Sequence, residues 1–249
     1  MKEHFKILYL NPVNVPYFDQ RDSAMLDRIL PADVRVDVTH LAPGDGPATP
    51  FIDEGPALHT NILKSIVDGA QLGYDAAVIG CSIDPALDEA KRNTSIPVIG
   101  ALEGALYTAS MQFERFSVLS IGPARDVMAI KERARHYGVG HKLASVPVVE
   151  LPGPSEEELT QRFEKDPTGV VQLIVDSAAQ SLSEDAVVKG QEAIEKDCAQ
   201  GLVLACTIWT GMAHLLQNEL GVTVIDPAFP SVLLASAVAR SRSVSSTGV

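Results

Sequence analysis

What this 249-residue chain has little of narrows its function before any motif is considered. It carries only three cysteines, an odd number, so a secreted disulfide scaffold is not expected and any sulfur chemistry rests on reduced thiols. Basic charge is scarce: 20 Lys and Arg stand against 32 Asp and Glu, a net charge of −12. Phosphate backbones are bound by clustered Lys and Arg, so a nucleic-acid partner is not expected. Long apolar runs are missing; Leu202–Cys206 and Val232–Ala235 are far too short to cross a bilayer, so no membrane partner is expected either. The opening residues show neither the apolar core nor the small-residue cleavage site of a secretory leader, and a cytoplasmic protein is expected. The six His residues are scattered without ligand spacing, so no metal is expected. No Gly-rich loop carries a Lys to cradle phosphate, and Gly44-Asp-Gly46 reads as a turn.

What is present is the pattern of a globular α/β chain, with 46% apolar and 21% charged residues. Short β-branched runs alternate with longer helical stretches. Strands are expected at Phe5–Leu10, Val34–Leu41, Ala76–Gly80 and Ile96–Ile99, with helices at Arg21–Leu30 and Leu58–Gly69. A Pro/Gly-rich loop is expected at Pro43–Thr49. The rhythm resumes with strands Phe116–Ile121 and Ala144–Val149 around a helix Asp126–Tyr137. A helix start at Ser155-Glu-Glu-Glu158 follows, then helices Val170–Leu182 and Ala186–Asp197. Strand Gly201–Ala205, a helix near Met212–Leu220, strand Val222–Ile225 and a closing helix complete the chain, with a frayed tail from Arg240. This order predicts parallel sheets covered by helices on both faces.

The rhythm is also a sequence repeat. Phe5-Lys-Ile-Leu-Tyr-Leu-Asn-Pro12 lines up with Phe116-Ser-Val-Leu-Ser-Ile-Gly-Pro123, and Val78-Ile-Gly-Cys-Ser-Ile83 with Val203-Leu-Ala-Cys-Thr-Ile208. Ile96-Pro-Val-Ile-Gly100 lines up with Val222-Thr-Val-Ile-Asp226. Three pairings in order predict a duplicated lobe. The expected architecture is two pseudo-symmetric three-layer lobes, residues 1–100 with 228–249 and residues 101–227, with the active site in the cleft between them.

Duplication makes Cys81 and Cys206 equivalent: each ends a buried strand and precedes a hydroxyl residue, Ser82 or Thr207. Ligands of parallel sheets gather at the carboxyl ends of strands. Two thiols there can work as a pair, one removing a proton from carbon while the other delivers one to the opposite face. A helix N-terminus is expected to lower the thiol pKa from about 8.5 toward neutrality. Free cysteine is often only a small core hydrophobe, and Cys198, without a repeat partner, is read that way or as a surface residue. Asp84 and Asp88 are expected to cap or solvate the helix after Cys81. Trp209 is read as either a pocket wall or a core aromatic.

The segments Ile79-Gly-Cys-Ser-Ile-Asp-Pro-Ala-Leu87, Ile96-Pro-Val-Ile-Gly100, Arg115-Phe-Ser-Val-Leu119, Asn11-Pro12 and Leu204-Ala-Cys-Thr207 resemble hydantoin racemases, within the wider aspartate/glutamate racemase superfamily. The resemblance spans nearly the whole chain. It implies a cofactor-independent isomerase acting on a small molecule, commonly as a homo-oligomer. Cys81 and Cys206 would be its acid/base residues, and Asn11, Ser82, Gly122 and Thr207 would hold the polar edge of the substrate. Gly122 enters as the repeat partner of Asn11, with a backbone role. The superfamily also holds amino-acid racemases, maleate-type cis–trans isomerases and arylmalonate decarboxylases. Decarboxylases of this type keep only the later cysteine. Glutamate racemases place an Asp near position 11 and a His after the later Cys-Thr, where this chain has Asn11 and Ile208. That departure favours a substrate with a more acidic C–H, such as a 5-substituted hydantoin. The hydantoin family usually continues its first motif with Asn-Thr or Asn-Ser and often follows the second cysteine with a Gly-rich run; here stand Val13-Asn14-Val15 and Ile208-Trp209. A binding protein that keeps the fold without catalysis is the non-enzymatic alternative.

Overall fold

The computed structural model describes residues 4–42, 48–52 and 55–246. Most of the expected Pro/Gly loop, including Gly44-Asp-Gly46, lies outside them. The first sheet holds four parallel strands, β1 (Phe5–Asn11), β2 (Val34–His40), β3 (Ala76–Ile79) and β4 (Val98–Gly100), in the order β2-β1-β3-β4. The second holds β5 (Phe116–Ser120), β6 (Gly201–Ala205) and β7 (Val224–Ile225) in the order β5-β6-β7, again parallel.

Among the described residues ten α-helices cover these sheets. They are α1 (Asp19–Asp27), α2 (Ala57–Gln71), α3 (Leu87–Asn93), α4 (Ala101–Gln112), α5 (Ala124–His136), α6 (Glu156–Phe163), α7 (Pro167–Ser183), α8 (Asp185–Glu195), α9 (Ala213–Leu220) and α10 (Phe229–Ser246).

Successive side chains of a strand point to opposite faces, so a strand covered on both sides is apolar throughout. In β1, Phe5, Ile7 and Tyr9 meet Leu26 of α1 and Val232 and Ala235 of α10; Leu8 and Leu10 meet Ile62 and Ile66 of α2. In β6, Val203 and Ala205 share a core with α4 and α5, while Leu202 and Leu204 pack with Ala178, Ala186 and Leu216 of α7, α8 and α9. One cluster includes Leu8, Ile79, Leu102, Phe116 and Val203, so the two sheets share a core through α4.

Two expectations change, and one helix was not foreseen. Residues 143–149 form no regular strand, because Pro147 lacks an N–H and breaks the ladder. The segment still runs parallel beside β5, with Ala144 N–H donating to the Phe116 carbonyl (2.8 Å) and Ser120 N–H to the Pro147 carbonyl (3.0 Å). Counting it, the second sheet repeats the strand order of the first. The tail from Arg240 is helical to Ser246, because Arg240 pairs with Asp33 at 2.6 Å and lies over the Phe5 ring. Helix α4 had no sequence signal, since Ala101, Leu102, Ala105, Leu106 and Ala109 bury several sides of it and leave no amphipathic stripe.

Helices α4 and α10 approach closely at Gly104, where a Cβ would stand 2.5 Å from the Ser231 Cα. Gly104→Ala is therefore expected to cost about 1–3 kcal/mol, read as a lowered urea midpoint with an unchanged slope.

Candidate active site

The carboxyl ends of both sheets open on one cavity of about 490 Å³, and Asn11, Cys81, Ser82, Gly122, Cys206 and Thr207 all line it. The repeat is visible in its backbone. Each cysteine carbonyl accepts the N–H three residues on, from Asp84 to Cys81 and from Trp209 to Cys206, both at 3.1 Å. Each sulfur also faces the N–H of the residue two further along, Ile83 or Ile208. The two turns touch: Thr207 Oγ1 donates to the carbonyl of Gly80, the residue before Cys81, at 3.1 Å.

An aspartate anchors each turn to the helix that follows the next strand, from opposite sides. In the first lobe Asp84, within the cysteine turn, accepts the N–H groups of Leu102 (3.0 Å) and Glu103 (2.8 Å) at the start of α4. In the second lobe Asp226, at the end of β7, accepts from Ala228 (3.0 Å) and Phe229 (3.2 Å) at the start of α10. It also accepts from Gly211 beyond the cysteine turn, at 2.7 Å. The two devices exclude each other: at Gly100, the repeat partner of Asp226, a Cβ would lie 2.2 Å from Asp84 Oδ1. Asp84 thus caps α4 and not the helix after Cys81, because a left-handed turn at Asp84 (φ 48°) and Ala86 (φ 56°) aims the carboxylate away from α3. Asp88 does not cap that helix through its side chain either; it pairs with Arg133 at 2.9 Å.

The expected lowering of the thiol pKa does not occur. Burial pushes the Cys81 thiol well up, and Asp84, Cys206 and Asp126 push it further against the Ile83 N–H. Cys206 is pushed up to about 11, first by burial, with the Ile208 N–H and Arg21 opposing. Helix α3 starts only at Leu87, and the single 3₁₀ turn Thr207–Trp209 has little dipole to offer, so desolvation wins.

The remaining expected residues keep their place but not all their groups. Both amide donors of Asn11 are engaged by Asp19 (3.2 Å) and Asp22 (3.1 Å), which leaves its carbonyl oxygen. The Gly122 N–H donates to Ser120 Oγ at 3.2 Å, and the space of a side chain there is filled by the Asp126 carboxylate. The Thr207 hydroxyl proton is engaged by Gly80. Ser82 Oγ is buried and has no hydrogen-bond partner among the described residues, so it is the hydroxyl left for a ligand. Trp209 is core: it is fully buried, with Nε1 donating to the Ala178 carbonyl at 3.1 Å.

Sequence reading missed the charged lining, Arg21, Asp22, Asp126 and Glu156, and the apolar wall built by Phe18, Phe51, Leu159 and Ile174. Arg21 Nη2 donates across the cleft to the carbonyls of Ile208 and Thr210, and Nη1 lies 3.3 Å from Asp22 Oδ1. Burial raises Asp22 to about 6 against the pull of Arg21 and Asn11. No spacing signal marks these residues; a buried acid and base adjacent on an otherwise polar helix is the only sign. Among the described residues no group of three His, Cys, Asp or Glu side chains could hold a metal ion.

The family model for Asp/Glu/hydantoin racemases matches residues 7–232. The chain belongs to this family. It is accordingly an isomerase of the racemase type. A hydantoin racemase of Paenarthrobacter aurescens is 31% identical over 229 residues, covering 89% of this chain and 86% of that protein. One of Rhizobium meliloti is 31% identical over 204 residues, covering 80% and 76%. Among solved structures, the allantoin racemase from Klebsiella pneumoniae superposes with a TM-score of 0.73 at 22% identity, covering 95% of this chain and 88% of that one. That from Pseudomonas fluorescens gives 0.71 at 20%, covering 95% and 91%; both share the fold of this enzyme.

Burial raises the Asp84 carboxyl from 3.8 to about 7, against the hydrogen bonds from Tyr137, Leu102 and Glu103. The folded chain therefore holds a proton that the unfolded chain releases. The stability this contributes is complete below pH 3.8 and is lost as pH rises through about 7. Relative to Asp84→Asn, the wild type should lose stability steadily from pH 4 to 7 in urea titrations; a constant difference would contradict this.

Proposed function

We propose that the enzyme racemises a neutral cyclic carbon acid, a 5-substituted hydantoin or a close cyclic ureide, with Cys81 and Cys206 as a two-base pair. The observation that carries this is the charge of the cleft. Among its described lining residues Arg21 is the only basic one, and its guanidinium is already held by two backbone carbonyls and Asp22. Asp22, Asp126 and Glu156 add negative charge. A dicarboxylate or an amino-acid carboxylate would enter without a cationic partner, which costs far more than placing a neutral ring there. This disfavours both the maleate-type isomerase and the Asp/Glu-type racemase.

In the proposed reaction one cysteine thiolate takes the proton at C5 of the ring. The C–H electron pair moves into the adjacent ring carbonyl, where the Ser82 hydroxyl can donate to the developing oxyanion. The facing thiol then delivers its proton to the opposite face of C5, and the pair ends with its protonation states exchanged. Asn11, through its carbonyl oxygen, accepts a ring N–H. The turns bearing Cys81 and Cys206 belong to the two lobes, residues 1–100 with 228–249 and residues 101–227, so each lobe supplies one face. The relatives named for hydantoin racemisation support the substrate class.

Single-enantiomer hydantoins bearing apolar and polar 5-substituents, with allantoin, maleate, aspartate and glutamate beside them, test the reading by circular dichroism and by NMR of solvent deuterium at C5. Wild type should racemise hydantoins, and Cys81→Ala and Cys206→Ala should each lose about 10²- to 10⁴-fold in racemisation. Each variant should exchange one enantiomer only, which assigns the remaining thiol to a face. Turnover of the acids with none of any hydantoin would sink the proposal.

A further inference from the structure

The two cysteines occupy equivalent turns, yet their surroundings differ in one respect that the repeat does not predict. Arg21, on α1 of the first lobe, crosses the cleft and donates to the carbonyls of Ile208 and Thr210. The Ile208 peptide is thereby held at both ends, its carbonyl by Arg21 and its N–H by the Cys206 sulfur. Arg21 is itself fixed: Asp22 beside it is a buried ion partner, and Asp22 is tied through Asn11 to Asp19 and on to His40 at 2.7 Å. Arg21 Nε is buried without a hydrogen-bond partner among the described residues. At the equivalent place beside Cys81 stands the Asp84 carboxyl, and the groups acting most strongly on that thiol include no cation.

We propose that Arg21 is a positioning residue that separates the roles of the two thiols: by gripping the Ile208 peptide across the cleft and setting its charge beside Cys206, it makes Cys206 the thiol that gives up its proton first, and hence the base, and Cys81 the acid. This rests on the two-base reading above. The charged groups acting most strongly on Cys206 are Arg21 and Asp22 from α1 and Asp126 from α5; those beside Cys81 are Asp84, Asp126 and Cys206, with the Tyr9 hydroxyl of β1 also in range. Asp126 acts on both thiols alike, and Asp22 opposes Arg21, so Arg21 is the cation that distinguishes the pair. The ordering of the two thiols, with Cys206 the less strongly raised, agrees with the geometry.

The test is the rate of iodoacetamide alkylation at each cysteine, followed peptide by peptide by mass spectrometry from pH 6 to 10. It needs no substrate, so it stands apart from the identity of the carbon acid. In wild type Cys206 should react before Cys81 at every pH. In Arg21→Met alkylation of Cys206 should slow by about tenfold at a fixed pH, one unit of thiol pKa, while Cys81 changes less than about twofold. Arg21→Lys keeps the charge but cannot fork to two carbonyls, and should hold the Cys206 profile within about threefold of wild type. Should Arg21→Met fail to fold, the Lys variant and the wild-type ordering are read alone. Equal reactivity of the two thiols in wild type, or equal slowing of both in either variant, overturns the proposal.

Discussion

The hydrogen bond from Thr207 Oγ1 to the Gly80 carbonyl is the contact on which the rest of the site depends. It joins the residue after one cysteine to the residue before the other, so the two turns cannot slide independently. Isolated, such a bond contributes only about 1 kcal/mol. It holds because both turns are already rigid: each is closed by its own three-residue hydrogen bond and anchored by a buried aspartate to a long helix. The shared apolar core through α4 sets the lobes at the distance the bond requires.

That rigidity comes with buried charge. Asp22, Asp84 and Asp226 all lie beneath the cleft, and burial raises the pKa of each. Backbone N–H groups at helix starts offset much of the cost for Asp84 and Asp226; Arg21 and Asn11 do so for Asp22. The thiols receive less help, one N–H each with Arg21 beside Cys206, and both stay protonated at neutral pH. A freely ionised pair of thiolates would repel each other and be open to oxidation, which protonation avoids.

Much of this was legible in the chain. The matched segments around Asn11, Cys81 and Ile96 and their counterparts around Gly122, Cys206 and Val222 announced two lobes of the same strand order, because buried parallel strands leave continuous apolar runs. The same repeat singled out the cysteines. What stayed hidden depends on contacts between distant parts of the chain. Arg21 acts on carbonyls nearly two hundred positions away, and no local pattern encodes that. Asp84 sits one turn before α3 in sequence, yet its left-handed backbone sends it to α4. Trp209 follows the second cysteine closely, yet its indole turns into the core, where the Ala178 carbonyl and Ser181 hydroxyl accept its N–H. Pro147 was visible, and its missing N–H explains why the segment beside β5 pairs without forming a regular strand.

The central claim is that two thiols address one carbon from opposite faces. It is tested most directly by following a single protiated enantiomer of a hydantoin substrate in deuterium oxide at early conversion. The account predicts that every molecule of inverted product carries solvent deuterium at C5 while the unreacted enantiomer keeps its protium, since the proton removed by one cysteine is not the one delivered by the other. Inverted product that retains the substrate's own proton would show a single group serving both faces, and would contradict it.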